Sequence, residues 1–352
     1  MRPFRHLPLR LVALPALLLT LTACGGDDDV AAGQDTAAGD ARGGSLTVYS
    51  GRSEEYVGPV LEKFEQARGV DVEVRYGDTA ELAATIAEEG DNTPADVFIA
   101  QDAGSLGAVA AEGLFRPLPA ATVELVDARF RAADRTWVGT SGRARVAIYN
   151  TTTLGPADLP TSVLDMTDAR WKDQVGIAPN NASFQAFVTA LRLDRGDETA
   201  RTFLQGLKDN GARLYESNSQ IAEAVAAGEI EVGLVNNYYL HQLRKEQPDA
   251  PAANHFFAAG DPGALINSAG VGVLRTSDDA ASGEALAAFL LAEEGQSYFA
   301  EEVGEYPLVA GVSPPPGSPP LADVQGPRLT LADLGPELED TLRMLSEVGL
   351  TS

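Results

Sequence analysis

The sequence predicts an α/β protein built from two lobes. Strand-like and helix-like segments alternate from Leu46 onward, and the alternation starts a second time near Val146. The chain has 352 residues, which corresponds to about two domains at roughly 150 residues each. Hydrophobic residues make up 44% of the sequence, so both lobes can have a buried core.

The first alternating region has the periodicities of a sheet covered by helices. Apolar residues Val57, Leu61 and Phe64 recur at helical spacing, and a cap at Thr79 begins a second helix. Strands are expected at residues 46–49, 70–76 and 96–99, and helices at 54–68, 79–89 and 104–112. Strands separated by helices in this order predict a mostly parallel sheet with helices on both faces.

The second alternating region begins near Val146 and continues almost to the end of the chain. Strands are expected at residues 146–149, 175–178, 232–235 and 270–274. Helices are expected at 183–195, 198–210, 219–227, 283–291 and 294–303, with another beginning within 236–239. A last amphipathic helix carries Leu338, Leu342, Leu345 and Val348. Two hinged lobes of this kind can enclose a small ligand at the carboxyl ends of their strands.

The N-terminus has the pattern of a bacterial lipoprotein signal. Residues 1–10 are basic, and the apolar run at 11–21 is too short to span a bilayer. Leu21-Thr22-Ala23-Cys24 follows, and in lipoproteins this cysteine is lipidated; the alternative is a free buried thiol. We expect a signal peptide at 1–23, then a lipidated Cys24 and a flexible tether over 24–44, with the protein held outside the cytoplasmic membrane.

Composition excludes several function classes. The formal charge is −25, so the protein should repel nucleic acids and should touch the membrane only through its lipid. A single cysteine rules out an intrachain disulfide and a cysteine-rich metal site. The motifs G-x-S-x-G, H-E-x-x-H and G-x-x-x-x-G-K-[ST] are absent. An enzyme on this scaffold stays a third hypothesis, for which the sequence nominates no substrate.

The most informative segment is the strand at 232–235 with the four residues that follow it. The strand ends in two amides, Asn236 and Asn237, and two phenols, Tyr238 and Tyr239. Both phenols can converge on one ligand if the backbone turns there from strand to helix. Phenols ionise near pH 10, so phenolates at neutral pH need a strong cation such as Fe3+, which prefers oxygen donors. The alternative is a pair of aromatic rings packed on the core or on a sugar.

From Leu46 to Val348 the chain resembles the ferric-ion-binding proteins of bacterial ABC importers. The matching segments are VYSGR (48–52), EEGDNTPADVF (88–98), SGRARV (141–146), VNNYY (235–239), DPGAL (261–265) and EYPL (305–308). The resemblance implies a type II periplasmic-binding-protein fold, with two α/β lobes, a ligand cleft and hinge crossovers near 139–146 and 265–270. Lobe 1 would comprise residues 45–145 plus 269–320, and lobe 2 residues 146–268 plus 321–352.

The resemblance also implies a ligand set. Tyr238 and Tyr239 match the tyrosines that bind Fe3+ in that family. Several members add a histidine at the position of Ser53 and a glutamate at the position of Gln101, so two charged ligands are replaced here by neutral groups. Water, carbonate, phosphate or a carried chelator such as citrate would complete the coordination of Fe3+.

A synergistic anion is expected next to the metal. The matching loop opens the helix at 183–195, where free N–H groups favour an anion, although Ser183 could equally be a simple N-cap. Two arginines could reach the anion from loops, or they could form surface salt bridges instead. The candidate anion-binding residues are Asn180, Asn181, Ser183, Asn218, Asn236, Arg52 and Arg143.

These observations predict a monomeric, lipid-anchored protein that captures Fe3+ and delivers it to an ABC permease. The alternative keeps the fold and changes the ligand to another anion, a phosphonate, a polyamine or a thiamine-like cation. Trp137 and Trp171 are expected to pack in the cores rather than stack on a ligand.

Overall fold

The computed structural model describes residues 44–351. The predicted signal peptide, Cys24 and nearly all of the tether lie outside the described residues. Within 44–351 the strands are β1 Ser45–Ser50, β2 Asp71–Tyr76, β3 Val97–Ala100, β4 Val138–Asn150, β5 Val175–Ile177, β6 Arg213–Leu214, β7 Val232–Asn236, β8 Ala252–His255, β9 Ile266–Val273 and β10 Tyr306–Pro307.

The helices occur close to the positions predicted from apolar spacing. They are α1 Glu54–Arg68, α2 Thr79–Glu89, α3 Ala103–Ala111, α4 Ala120–Val123, α5 Ala182–Arg195, α6 Asp197–Asp209, α7 Asn218–Ala227, α8 Tyr238–Glu246, α9 Ala280–Leu290, α10 Glu293–Tyr298 and α11 Leu338–Val348. A π-helical turn, Phe299–Val303, continues α10. No helix in the described part of the chain is both long and apolar enough to cross a bilayer.

The strands form one mixed sheet in the order β2-β1-β3-β9-β4-β7-β5-β6, and β8 and β10 also pair with β4. The pairs of β1 with β2 and β3, and of β5 with β6 and β7, are parallel. The prediction of a mostly parallel sheet is therefore only half right. Strands β4 and β9 are antiparallel to each other and to their other neighbours, because each runs back across the molecule.

Strand β4 connects the two halves of the sheet. Its first part, up to Ala144, pairs with β9, and its second part, from Arg145, pairs with β7. The N–H of Arg145 donates to the carbonyl of Leu265 at 2.8 Å, just before β9 begins. All 13 residues of β4 are buried. Since side chains alternate along a strand, Arg143 and Arg145 lie on the same face of β4.

The cap predicted for α2 is wrong by one residue, and Ser183, for which an N-cap was the alternative to an anion site, does not cap α5. The Asp78 side chain, not Thr79, accepts the free N–H groups of α2, from Ala80 and Glu81. At α5 the cap is Asn181, whose Oδ1 accepts from the N–H of Ser183 at 3.0 Å. In both cases a neighbouring Asp or Asn side chain reaches the free N–H groups of the first turn.

The core has the composition that the sequence indicates. Helix α1 buries one stripe, which includes Val57, Val60 and Phe64. Trp137 and Trp171 are 3% and 1% exposed, so both pack in the core as predicted. This packing holds β1, β3 and β7 in place. The loops and helix starts that follow their carboxyl ends contain the polar residues of the candidate site.

Candidate functional site

The two adjacent tyrosines lie where strand β7 turns into helix α8. β7 ends at Asn236 and α8 begins at Tyr238, so Asn237 alone makes the turn. The rings of Tyr238 and Tyr239 are stacked, with centroids 4.3 Å apart and an interplanar angle of 30°. Tyr238 is 2% exposed, whereas Tyr239 is only partly buried. The strand-to-helix turn therefore brings both phenols together, as the sequence suggested.

Asn237 fixes this turn by hydrogen bonds to two other segments. Its Oδ1 accepts from the N–H of Ala144 on β4 at 2.9 Å, and its Nδ2 donates to the carbonyl of Gly304 at 2.9 Å. The Asn237 N–H donates to the Ala144 carbonyl, also at 2.9 Å. Because each of these groups is buried, the start of α8 has little freedom to move relative to β4.

Arg52 and Arg143 lie beside Tyr238 and share one carboxylate. Arg52 Nη2 donates to Glu305 Oε1 at 2.7 Å, and Arg143 Nε is 4.0 Å from the same oxygen. Ser141 Oγ donates to Glu305 Oε2. Both arginines are 2% exposed and Glu305 is fully buried, so they are not surface salt bridges. Arg143 also lies on strand β4 rather than on a loop, which corrects the expectation from sequence.

Arg145 is a site residue that the sequence reasoning missed. Its Nη1 donates to Asn236 Oδ1 at 3.2 Å and approaches Ser183 Oγ at 3.4 Å, while Nη2 donates to the Leu234 carbonyl at 2.9 Å. The available signal was the alternation Arg143-Ala144-Arg145, which places both arginines on one face of β4. Glu305 was also missed, although it lies in a segment that carries the family resemblance.

The predicted anion-binding residues form a hydrogen-bonded cluster against Arg145. Asn218 Nδ2 donates to Asn181 Oδ1 at 3.1 Å and to Ser183 Oγ at 3.3 Å. Asn218 is fully buried, and its Oδ1 has no hydrogen-bond partner within residues 44–351. Asn180, which precedes Asn181 in the chain, is exposed. The structure thus joins four of the predicted residues, Asn181, Ser183, Asn218 and Asn236, through Arg145.

Ser53 and Gln101, at the two altered family positions, lie at the edge of this site. Ser53 is exposed at the N-cap of α1, and its side chain makes no capping hydrogen bond. Gln101 follows β3, and its backbone carbonyl accepts from Arg143 Nη2. Among the described residues, neither side chain hydrogen-bonds the tyrosine pair. Residues 44–351 also contain no group of three or more His, Cys, Asp or Glu side chains placed to hold a metal.

The electrostatics of the site favour negative charge. Burial is the largest cause that raises the pKa of Tyr238 well above its usual value, and the neighbouring Tyr239 is the second. Arg143 and Arg52 oppose this rise. Burial lowers the pKa of Arg145 to about 10, and both tyrosines oppose that change. Burial lowers the pKa of Arg52 too, but Glu305, Tyr238 and Tyr56 together outweigh it, so the pKa of Arg52 is raised. Three buried guanidinium groups thus lie around the tyrosine pair, and one buried carboxylate, Glu305, lies against two of them, Arg52 and Arg143.

The comparisons with known proteins agree with this architecture. The sequence profile of a family described as bacterial extracellular solute-binding protein matches residues 92–321. The major ferric iron-binding protein of Neisseria meningitidis is 34% identical over 309 residues, covering 87% of this chain and 93% of the relative.

Two solved structures are similar over nearly their whole length. Iron-bound HitA from Pseudomonas aeruginosa has a TM-score of 0.81 and 34% identity, covering 87% of this chain and 99% of that one. The Trichodesmium protein IdiA (FutA), in complex with iron and citrate, has a TM-score of 0.77 and 28% identity, with 87% and 100% covered. The predicted α/β fold of a periplasmic binding protein is thereby confirmed. The chain belongs to the bacterial extracellular solute-binding protein family, whose members bind solutes for transport and are not enzymes.

Proposed function

We propose that this protein captures Fe3+ outside the cytoplasmic membrane and delivers it to an ABC permease. The observation that carries the proposal is the stacked pair Tyr238 and Tyr239 at the carboxyl end of β7. Each phenol would release its proton to water as its oxygen binds the ion. The ferric-iron names of the relatives support the same cargo.

The charge of the site supports a synergistic anion. Two phenolates leave Fe3+ with one positive charge, next to three buried arginines and a single buried carboxylate, Glu305. Buried charge without a counter-ion is costly. We propose that carbonate, phosphate or citrate binds between Arg145 and the first turn of α5, at Asn181, Ser183 and Asn218. The free N–H groups at the start of a helix favour an anion there.

Delivery would depend on closure of two lobes. We propose that residues 45–145 plus 269–320 and residues 146–268 plus 321–352 move as two bodies about the paired strands β4 and β9. Closure would bury the ion, and contact with the permease would open the cleft again. The protein would act as a monomer, because both lobes are supplied by one chain.

One rival function has a specific observation in its favour. Arg143 is buried, yet its Nε and Nη1 have no hydrogen-bond partner among residues 44–351. Such donors fit a receptor for an organic anion or a phosphonate that carries no metal. The same three buried arginines disfavour the polyamine and thiamine-like alternatives, since those ligands are cations.

A ferric titration separates the two functions. Purified protein is mixed with ferric citrate and the visible spectrum is recorded, while metal and anion content is measured in protein taken directly from its host. Bound Fe3+ and a phenolate-to-iron charge-transfer band would support the proposal. A colourless protein that is stabilised against heat by a phosphonate, but not by ferric citrate, would establish the rival function.

Replacement of Arg145 by glutamine is expected to weaken the contribution of the anion to iron binding. The substitution removes a buried charge that lies against both Asn236 and Ser183. Iron affinity in the presence of carbonate, phosphate or citrate should fall about 10- to 100-fold, the range typical of residues that orient metal ligands. Arg244→Gln, at an exposed arginine of α8, is the control. Equal anion dependence in both variants would contradict the proposed anion site.

Lipid anchoring is proposed from the sequence alone, through Cys24. Cys24→Ala should shift the protein from the membrane fraction to the soluble extracytoplasmic fraction, because a lipid chain supplies the membrane affinity. Metabolic labelling with a radioactive fatty acid should mark the wild type and leave the variant unlabelled. A variant that stays in the membrane fraction would show that something else holds the protein there.

A further inference from the structure

Helix α8 is tied to the π-helical turn by hydrogen bonds from its side chains. Gln242 Nε2 donates to the carbonyl of Val303 at 2.9 Å. Lys245 Nζ donates to the carbonyl of Glu302 at 2.5 Å. The last carbonyls of a helical segment have no partner within that segment, and a lysine near such an end also compensates its partial negative charge. Side chains of α8 therefore supply partners for the open end of the turn that leads to Glu305.

The two elements lie close together because residue 304 is a glycine. Gly304 ends the π-helical turn with a φ of +84°, in the left-handed region that favours glycine. A Cβ atom at this position would lie 2.7 Å from the Cβ of His241 on α8. Glycine thus allows both the turn of the backbone and the close approach of α8, which brings the donors of α8 within reach of the carbonyls.

This contact crosses the boundary between the two proposed lobes. The donors come from α8, in the lobe of residues 146–268, and the acceptors come from the turn, in the lobe that includes residues 269–320. The hydrogen bonds described above therefore join one proposed lobe to the other, and they are formed in this structure.

The contact has one end at the hinge and one end far from it. Asn237 bonds both Gly304 and Ala144, and β4 changes its partner from β9 to β7 directly after Ala144. Lys245 lies eight residues beyond Asn237, about 12 Å away along a helix. A rotation about β4 displaces distant points most, so opening of the cleft separates Lys245 from the turn while Asn237 stays bonded.

The space beside this contact is a groove rather than a packed core. A cavity of about 380 Å³ lies between α1, α8 and the π-helical turn, and Gln242, Lys245 and Val303 form part of its wall. Gln242 is half-buried and Lys245 is exposed. Both donors therefore meet water on one side, and their hydrogen bonds can break without unfolding of either element.

We propose that Gln242 and Lys245 form a latch that closes with the two lobes and slows the release of Fe3+, which rests on the proposed function. They are positioning residues, because they hold α8, and with it Tyr238 and Tyr239, against the segment of Glu305. Iron enters while the cleft is open and the latch is broken. The latch therefore affects the rate of release much more than the rate of capture.

The test is the double variant Gln242→Met with Lys245→Met, because methionine keeps the length of each side chain and removes its donor. Protein loaded from ferric citrate is mixed with an excess of EDTA, and the decay of the charge-transfer band is followed. Release should be about 10-fold faster than in the wild type, the factor that corresponds to the loss of two partly exposed hydrogen bonds. The wavelength of the band should not change, because both phenolates remain.

The matched control is Gln205→Met with Lys208→Met on α6, which has the same spacing of three residues. Lys208 Nζ also donates to a carbonyl at the end of a helix, that of Val348 at 2.6 Å. Both of these residues lie in the same proposed lobe, 146–268 plus 321–352. The control should therefore release iron at the rate of the wild type, although it too loses a lysine bonded to a helix end.

The outcomes separate the latch from the proposed function. A band that decays at the wild-type rate in the Gln242 and Lys245 variant would overturn the latch and leave the proposed function standing. Equal acceleration in this variant and in the control would also overturn it, because the effect would then not depend on the contact between lobes. A wild type with no band would overturn the proposed function, and with it the role of the latch in iron release.

Discussion

Replacing both Tyr238 and Tyr239 by phenylalanine is expected to abolish ferric iron binding and leave the fold intact. Phenylalanine retains the stacked rings and their burial, so only the two oxygens are lost. The described residues offer no cluster of His, Cys, Asp or Glu ligands that could take their place. The dissociation constant should rise at least about 1000-fold, which corresponds to about 4 kcal/mol of binding free energy.

The measurement is a ferric citrate titration in which both the charge-transfer band and competition with a soluble chelator are followed. Tyr215→Phe, a change at a half-buried tyrosine preceding α7, controls for the general effect of losing a phenol. Circular dichroism and thermal melting establish that the double variant is folded. Wild-type iron affinity in the folded double variant would exclude Tyr238 and Tyr239 as the ligands.

Glu305→Leu is expected to cause the largest loss of stability. Glu305 is fully buried and accepts hydrogen bonds from Arg52 at 2.7 Å and from Ser141. Leucine leaves two buried guanidinium groups without their carboxylate, and breaking a buried pair in this way costs about 3–5 kcal/mol. The free energy of unfolding in urea should fall by that amount. Iron binding should change as well, because Arg52 and Arg143 lose the group that orients them.

Glu302→Leu is the matched control for this prediction. Glu302 is three residues away and pairs with Lys245 at 3.1 Å, but both side chains are well exposed, at 61% and 45%. An exposed pair of this kind contributes about 0–1 kcal/mol. If both variants were equally stable, Glu305 would not be a structural counter-ion of the arginines.

Much of the fold is readable from local sequence. Helix α1 begins and ends where the spacing of Val57, Leu61 and Phe64 predicts it, because one stripe of the helix must be buried. The Tyr238–Tyr239 pair was also found from sequence, since an apolar strand followed by polar residues marks the carboxyl end of a sheet. The cap of α2 was misplaced, because several adjacent polar side chains can reach the same N–H groups.

The neighbours of the tyrosine pair could not be found in this way. Arg52 and Glu305 form their ion pair across 253 positions of the chain, and no local pattern records such a partner. Tyr56 looks like one more residue of an amphipathic helix until α1 is packed against α8. The α/β fold, the order of its elements and the two adjacent phenols follow from local patterns, because periodicity and strand ends are properties of short segments. The charges that surround those phenols depend on long-range packing, because the antiparallel pairing of β4 and β9 brings distant segments together there.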